Sequence, residues 1–252
     1  MLITSFSQEG YHKYGKRFIE TTLKHWKDET LRVYYENGIP SSAPRDERLE
    51  YVNLYDHQQF RAFEDALAKS DPIFAGIMRT PDNEQAYNFR FDAMRFYRKA
   101  FCIYHATTAE DAPDRVAWLD ADSYAFADVP SNFLRAVLPE SCYIAHLQRE
   151  WLYTESGFVV FNTHHPVNKQ FMRMYIDTYF NGAFKLLGEW HDCYVLDFAI
   201  KVLNVERVNL TKDERSDHPF NDSVIGEYYD HLKGPVRKEQ GKSHENELRK
   251  TA

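Results

Sequence analysis

The run Val116-Ala117-Trp118-Leu119, ending in Asp120-Ala121-Asp122, constrains this chain more than any other segment. Four apolar residues in a row read as a buried strand. Two carboxylates at its end then stand at the carboxyl edge of a sheet, where open α/β folds place their ligands. A hard divalent cation takes oxygen ligands and pairs with diphosphate oxygens, so Asp-x-Asp at that edge is suited to hold one. With 19 aspartates in 252 residues, about one Asp-x-Asp is expected by chance. The preceding strand and partners elsewhere in the chain have to carry the inference.

The opening of the chain points to the same class. Residues 2–6 read as a strand ended by a turn at Gln8-Glu9-Gly10, and Tyr14, Phe18, Ile19, Thr22, Leu23 and Trp26 then follow helical spacing. A second strand over 31–36 stops at Asn37-Gly38-Ile39-Pro40. Strand, helix, strand at this spacing implies a parallel pair with a right-handed crossover. Residues 37–56 read as loop, followed by helices over 57–69 and 89–104. The second helix has Ala93, Phe96, Tyr97, Ala100, Phe101 and Tyr104 on one face and Arg90, Arg95, Arg98 and Lys99 on the other.

Ser131 is the expected N-cap of a short helix. Strands are expected over 142–146, 158–162 and 205–210, with helices from Pro166 to 180 and over 192–202. Beyond Gly234 the chain is polar, lysine-rich and without periodicity. No internal repeat or linker stands out, so one domain is expected.

A composition of 43% hydrophobic and 15% aromatic residues supports a large core. The net charge of −7 argues against nucleic-acid binding over the whole surface. Cys102, Cys142 and Cys193 form no C-x-x-C pair, which disfavours a zinc site or disulfide framework and fits a reducing, cytoplasmic setting. Neither a signal-peptide pattern nor an apolar run of about 18 residues is legible, so no membrane span is expected. Walker and G-x-G-x-x-G loops are missing from the sequence, which removes kinase and dinucleotide readings. A metal phosphohydrolase on His191-Asp192 needs further paired histidines in an all-helical chain, against the strand-rich pattern.

Four patches follow one another in a suggestive order: Asp120-x-Asp122; Thr154-Glu155-Ser156-Gly157 running into an apolar strand; Glu189-Trp190-His191-Asp192 opening a helix; and His231-Leu232-Lys233-Gly234-Pro235-Val236-Arg237-Lys238. With them the chain resembles the GT-A-fold glycosyltransferases, the class that uses nucleoside-diphosphate sugars. The resemblance covers residues 1–238 as a single GT-A domain, leaving 239–252 as a polar basic tail. It implies a Rossmann-like α/β fold with a mostly parallel central sheet flanked by helices. His231, Gly234 and Arg237 match the late His-x-x-Gly-x-x-Lys motif of the glycogenin-like retaining families, with Arg in place of Lys. Lys238-Glu239 replaces the Pro-Trp that follows there, Glu155-Ser156-Gly157 replaces Asn-x-Gly, and Asp192 keeps only the first position of Asp-Gln-Asp.

The resemblance implies a transferase that moves a sugar from a nucleoside-diphosphate sugar to an unidentified acceptor, retaining favoured over inverting. The alternative is a catalytically silent nucleotide-sugar-binding protein. Asp122 and His231, with Asp120, are the expected ligands of Mn²⁺ or Mg²⁺. Imidazole nitrogen favours the former. Asp120 also reads ribose or sugar, and Lys233, Gly234 and Arg237 neutralise the leaving diphosphate. Arg95 and Lys99 either point at the diphosphate or form a wet helix face. Asp192 and Glu155 are the candidate catalytic carboxylates, with an N-cap as the other reading of Asp192. Tyr11 either stacks on the base or packs in the core. The basic residues Lys233, Arg237, Lys238, Lys242, Arg249 and Lys250 permit an anionic acceptor, and glycan, protein, lipid-linked and nucleic-acid acceptors all stay open. Removing the chain from His231 onward is expected to leave a folded domain.

Overall fold

A computed structural model describes residues 1–82 and 84–243. The chain opens with β1 (Leu2–Ser7), a helical turn α1 (Gln8–Gly10), a π-helical turn at Tyr11–Gly15, and α2 (Lys16–His25). Then come β2 (Leu31–Glu36), β3 (Leu49–Asn53), α3 (Gln58–Ala68), a small hairpin of β4 (Ile77–Arg79) and β5 (Gln85–Tyr87), and α4 (Ala93–Thr108). Next follow β6 (Arg115–Leu119), β7 (Ser123–Ala125), α5 (Phe133–Val137), β8 (Ile144–Leu147), β9 (Glu155–Asn162) and α6 (Asn168–Phe180). The described chain ends with α7 (Asp192–Leu203), β10 (Arg207–Asn209), β11 (Tyr229–His231) and α8 (Pro235–Gln240).

Seven strands form one sheet in the order β10-β8-β9-β6-β1-β2-β3. Every neighbouring pair is parallel except the two made by β9, which runs against both β6 and β8. This is the mostly parallel α/β sheet expected from the βαβ opening.

Period-two alternation splits each inner strand between two apolar layers. Val116 and Trp118 of β6, with Val159 and Phe161 of β9, join the layer packed on α4, α6 and α7. Ala117, Leu119, Phe158 and Val160 join the opposite layer beneath α2 and α5. All eight residues of β9 are buried. Strands covered on both faces read as unbroken apolar runs, which is why β6 and β9 stood out in the sequence.

Several expectations need correction. Gln8-Glu9-Gly10 is the first turn of a helix, because Ser7 Oγ accepts a 3.2 Å hydrogen bond from the Gly10 amide. Gly15 lets that helix close on β1, since a Cβ there would come within 2.9 Å of the Phe6 ring. Residues 37–56 contain β3, paired in parallel with β2. The helix expected from residue 89 starts at Ala93, where the Asp92 carboxylate caps the Arg95 amide at 2.9 Å. Ser131 caps nothing; Asn132, at φ 60°, precedes α5.

The sequence pattern offers no strand after 205–210, yet the structure adds one beyond residue 228. β11 pairs antiparallel with β7, setting His231 opposite Ser123. Tyr229 is fully buried, with its hydroxyl 3.1 Å from Thr22 Oγ1. Asp230 accepts from Tyr124 and Asn221 at 2.9 Å, and the buried Ser243 amide bonds it at 3.0 Å. This segment is part of the core, so cutting the chain before His231 would remove the His231 end of the ladder and the Ser243 bond to Asp230. Arg249 and Lys250 lie outside the described residues. Tyr229→Ala should cost about 3–5 kcal/mol, as large aromatic deletions do, and lower the melting temperature by roughly 6–20 °C at about 2–4 °C per kcal/mol. An unchanged melt would show that β11 is not part of the folding unit.

Candidate active site

The turn after β6 and the end of β11 meet at the sheet's carboxyl edge. Leu232 N donates to Asp122 O at 2.8 Å, extending the β7–β11 ladder into the Asp-x-Asp turn. His231 Nε2 therefore lies 3.2 Å from Asp122 Oδ1 and 3.8 Å from Asp120 Oδ2. Ligand atoms of Asp120, Asp122 and His231 all fall within 4.8 Å of one another. Two carboxylate oxygens and one imidazole nitrogen at such spacing fit a divalent transition ion. Gly157 leaves room for the imidazole: a Cβ there would meet His231 at 3.4 Å and Phe220 at 3.1 Å.

Electrostatics bind these groups together. Burial opposes ionisation of Asp122, but His231 and Lys238 outweigh it and hold the carboxyl well below the usual range. Burial likewise opposes the His231 imidazolium, and the charges of Asp122 and Asp120 overcome it and raise the pKa.

Beneath this cluster lies a buried lysine. Lys99 Nζ sits 2.9 Å from Asp120 Oδ1, 2.7 Å from Asp192 Oδ2, and 2.9 Å from both the carbonyl and the hydroxyl oxygen of Ser156. Its desolvation is large, but Asp120 and Asp192 outweigh it and raise the pKa. An ammonium has three protons, and these oxygens use them all. The expectation that Lys99 contacts diphosphate, or forms a wet helix face, is corrected on this ground. Trp118 Nε1 also donates to Asp120 Oδ1 at 2.6 Å, so that oxygen is pinned and Oδ2 turns toward His231.

Asp192 is the first residue of α7, and the N-cap position belongs to His191, so the N-cap reading of Asp192 is corrected. Its carboxylate takes Lys99 and the Ser156 hydroxyl. Burial opposes its charge, yet Lys99 and His191 prevail and hold the pKa at about 2. Glu155, the first residue of β9, bonds Lys233 Nζ at 2.6 Å and has Arg149 at 3.8 Å. Against the cost of burial, Lys233 and His231 likewise hold it at about 2.

The other expected residues are less central. Arg95 is exposed and donates to the Tyr87 hydroxyl at 3.4 Å. Arg237 donates to the Lys233 carbonyl at 3.3 Å, and Gly234 supplies a φ of 87° at the start of α8. Tyr11 is 2% exposed and packs on Phe6 at 5.8 Å, so core packing describes it and a base has no free face to stack on. Sequence reasoning missed the Ser156 hydroxyl, the Trp118 indole N–H and the link from Lys238 Nζ to Asp122 Oδ2 at 2.7 Å. The one available signal was the run Ala100–Ile103 beside Lys99, apolar on every side.

Lys99→Met would leave Asp120 and Asp192 without their shared cation. Breaking a buried pair by removing one partner costs about 3–5 kcal/mol. Adding Asp192→Asn should recover part of that loss, because one uncompensated charge goes with it. Melting temperatures of the single and double variants check this; identical values would show that Asp192 is not held by Lys99.

No protein-family model matches the chain, and no curated protein matches it. Among solved structures, it is similar to galactosyltransferase LgtC in complex with donor and acceptor sugar analogs. That match has a TM-score of 0.54 at 11% identity and covers 93% of this chain and 87% of that one. An active-site mutant of LgtC matches with a TM-score of 0.51 at 13% identity and the same coverage. The seven-stranded sheet, its helices on both faces and these matches agree: this chain has the GT-A fold.

Proposed function

We propose that this chain is a metal-dependent glycosyltransferase using a nucleoside-diphosphate sugar. The carrying observation is the convergence of Asp120, Asp122 and His231 from two stretches over a hundred residues apart. Asp122 and His231, with Asp120 Oδ2, would hold Mn²⁺ or Mg²⁺, and the bound ion would act as a Lewis acid on the leaving diphosphate. Arg237, on the segment that follows β11, supplies further positive charge for the diphosphate, and Lys233 adds its own where it leaves the Glu155 carboxylate that it bonds here. The whole of residues 1–238 serves as the transferase domain in this reading. A cytoplasmic setting agrees with the free cysteines. Among the described residues no helix is long and apolar enough to cross a membrane.

Asp192 and Glu155 stand at the reacting end. A general base works best with a pKa near the operating pH. Both carboxyls are held at about 2, which makes them weak bases and permanent negative charges. Fixed negative charge suits orienting a donor sugar and steadying a developing oxocarbenium ion. With the glycogenin-like spacing of His231, Gly234 and Arg237, this supports a retaining reaction over an inverting one.

Chelator should abolish hydrolysis of the correct nucleotide sugar, and manganese should restore it. Asp122→Asn should stay folded and lose activity. Turnover that persists in chelator would remove the metal from the reaction. A thermal-shift screen of nucleoside-diphosphate sugars with manganese identifies the donor, since a ligand stabilises the folded state by mass action.

Asp192→Asn should leave nucleoside-diphosphate affinity nearly unchanged while turnover falls by roughly a hundredfold, the scale of losing one preorganised electrostatic group. A near-normal rate would exclude Asp192 from the chemistry and leave Glu155. No donor turnover under any condition, despite tight donor binding, would favour the silent binding protein.

A further inference from the structure

Lys238 occupies a position that no motif assigned to it. Its Nζ lies 2.7 Å from Asp122 Oδ2 while His231 Nε2 lies 3.2 Å from Asp122 Oδ1. One oxygen of the central candidate metal ligand is thus covered by an ammonium of the chain itself, and the other faces the His231 imidazole. The lysine is carried on α8, which follows Gly234, a residue at φ 87° with open space where a Cβ would stand. Its side chain is 30% exposed and passes 5.5 Å above the Tyr14 ring, so its route to solvent is open. Lys233 is engaged elsewhere, on the buried carboxylate of Glu155.

A divalent ion among Asp120, Asp122 and His231 would share Asp122 with that ammonium. The repulsion between two positive charges a few ångströms apart is large even at a high effective dielectric. The ammonium therefore has to leave Asp122 before or as the ion binds. A diphosphate on the same ion offers it a new anionic partner within reach of the same helix. Resting on the metal-dependent donor reading above, we propose that Lys238 is a further donor-binding residue. It serves as the counter-ion of Asp122 before the metal binds and passes to the donor diphosphate when the metal takes Asp122.

The consequence is a coupling. Metal alone binds against the loss of the Lys238–Asp122 pair, whereas metal with diphosphate binds with Lys238 re-paired. Each ligand then raises the other's affinity by the same factor, as linkage requires. A lysine that only neutralised phosphate would leave metal binding alone untouched.

The test is titration of the full chain with Mn²⁺, reading free ion by its paramagnetic resonance signal. It is run without nucleotide and then with UDP or GDP, whichever stabilises the protein more, against protein-free blanks. Lys238→Met should bind Mn²⁺ alone about tenfold more tightly than the wild type, the scale of a lost nearby charge repulsion. It should also gain much less Mn²⁺ affinity from the nucleotide. Lys185→Met removes the same charge from a lysine packed on Phe74 and Phe184 and should match the wild type. Equal or weaker binding of Mn²⁺ alone by Lys238→Met would overturn the proposal. Asp122→Asn separates the two readings. If it abolishes wild-type Mn²⁺ binding while Lys238→Met changes nothing, the metal site stands and the role of Lys238 falls. If no variant binds Mn²⁺, both fall.

Discussion

One buried ammonium organises the site. Lys99 Nζ joins Asp120, at the end of β6, to Asp192, at the start of α7, with Ser156 of β9 between them. Three elements distant in sequence thereby acquire one shared ion. Isolated, any of these carboxylates would resist burial, because an unpaired charge in a low-dielectric interior is costly. With Lys99 present, the buried carboxylate of Asp192 stays ionised at the bottom of the cleft. A neutral side chain at position 99 would fill the space but could not hold both. The geometry of Asp120 depends on this directly: one oxygen is fixed by Lys99 and Trp118, and only the other is turned toward His231.

The second constraint is the ladder between β7 and β11. It is three residues long on each side, yet it carries Asp122 and His231 at its end. So short a ladder is marginal by itself. Its support comes from Tyr229 in the core and from the buried carboxylate of Asp230, which binds Tyr124, Asn221 and Ser243. A carboxylate with several donors is a strong organiser, since charge-assisted hydrogen bonds are about twice as strong as neutral ones. The structure thus holds the carboxyl-terminal segment to the Asp-x-Asp turn through contacts of the chain itself.

Much of this was legible in the residue pattern. β1, β2, β6, β9 and α7 are apolar enough to announce themselves, and the order of the four polar patches pointed to one edge of the sheet. What escaped notice was made by partners rather than by pattern. β3 and β11 are short and carry polar residues, and their pairing is decided by strands already in place. The helix α8 has no buried residue, so it leaves no apolar period to read. Lys99 looked like one of four basic residues on a wet face. A long aliphatic stem with a charged tip gives the same pattern whether the tip meets water or two carboxylates. Arg98, next to it, was hidden in the same way, and it pairs with Glu36 and Glu64 at 2.6 Å each.

The charge balance bears on how a donor would enter. Asp120, Asp122, Glu155 and Asp192 face Lys99, Lys233, Lys238, Arg149 and His231. The cleft is close to neutral by itself. A divalent cation added alone would break that balance, and a bare diphosphate would add negative charge beside four carboxylates. Ion and diphosphate together are nearly neutral, so the pair enters without forcing the cleft to carry excess charge of either sign. In a site of low dielectric such excess is costly. Under the proposed reaction, charge then moves within the cleft rather than into it: negative charge grows on the leaving diphosphate while positive charge grows on the sugar. Arg237 and Lys238 of the carboxyl-terminal segment carry the charge suited to the first, and the low-pKa carboxylates Asp192 and Glu155 are the groups suited to the second.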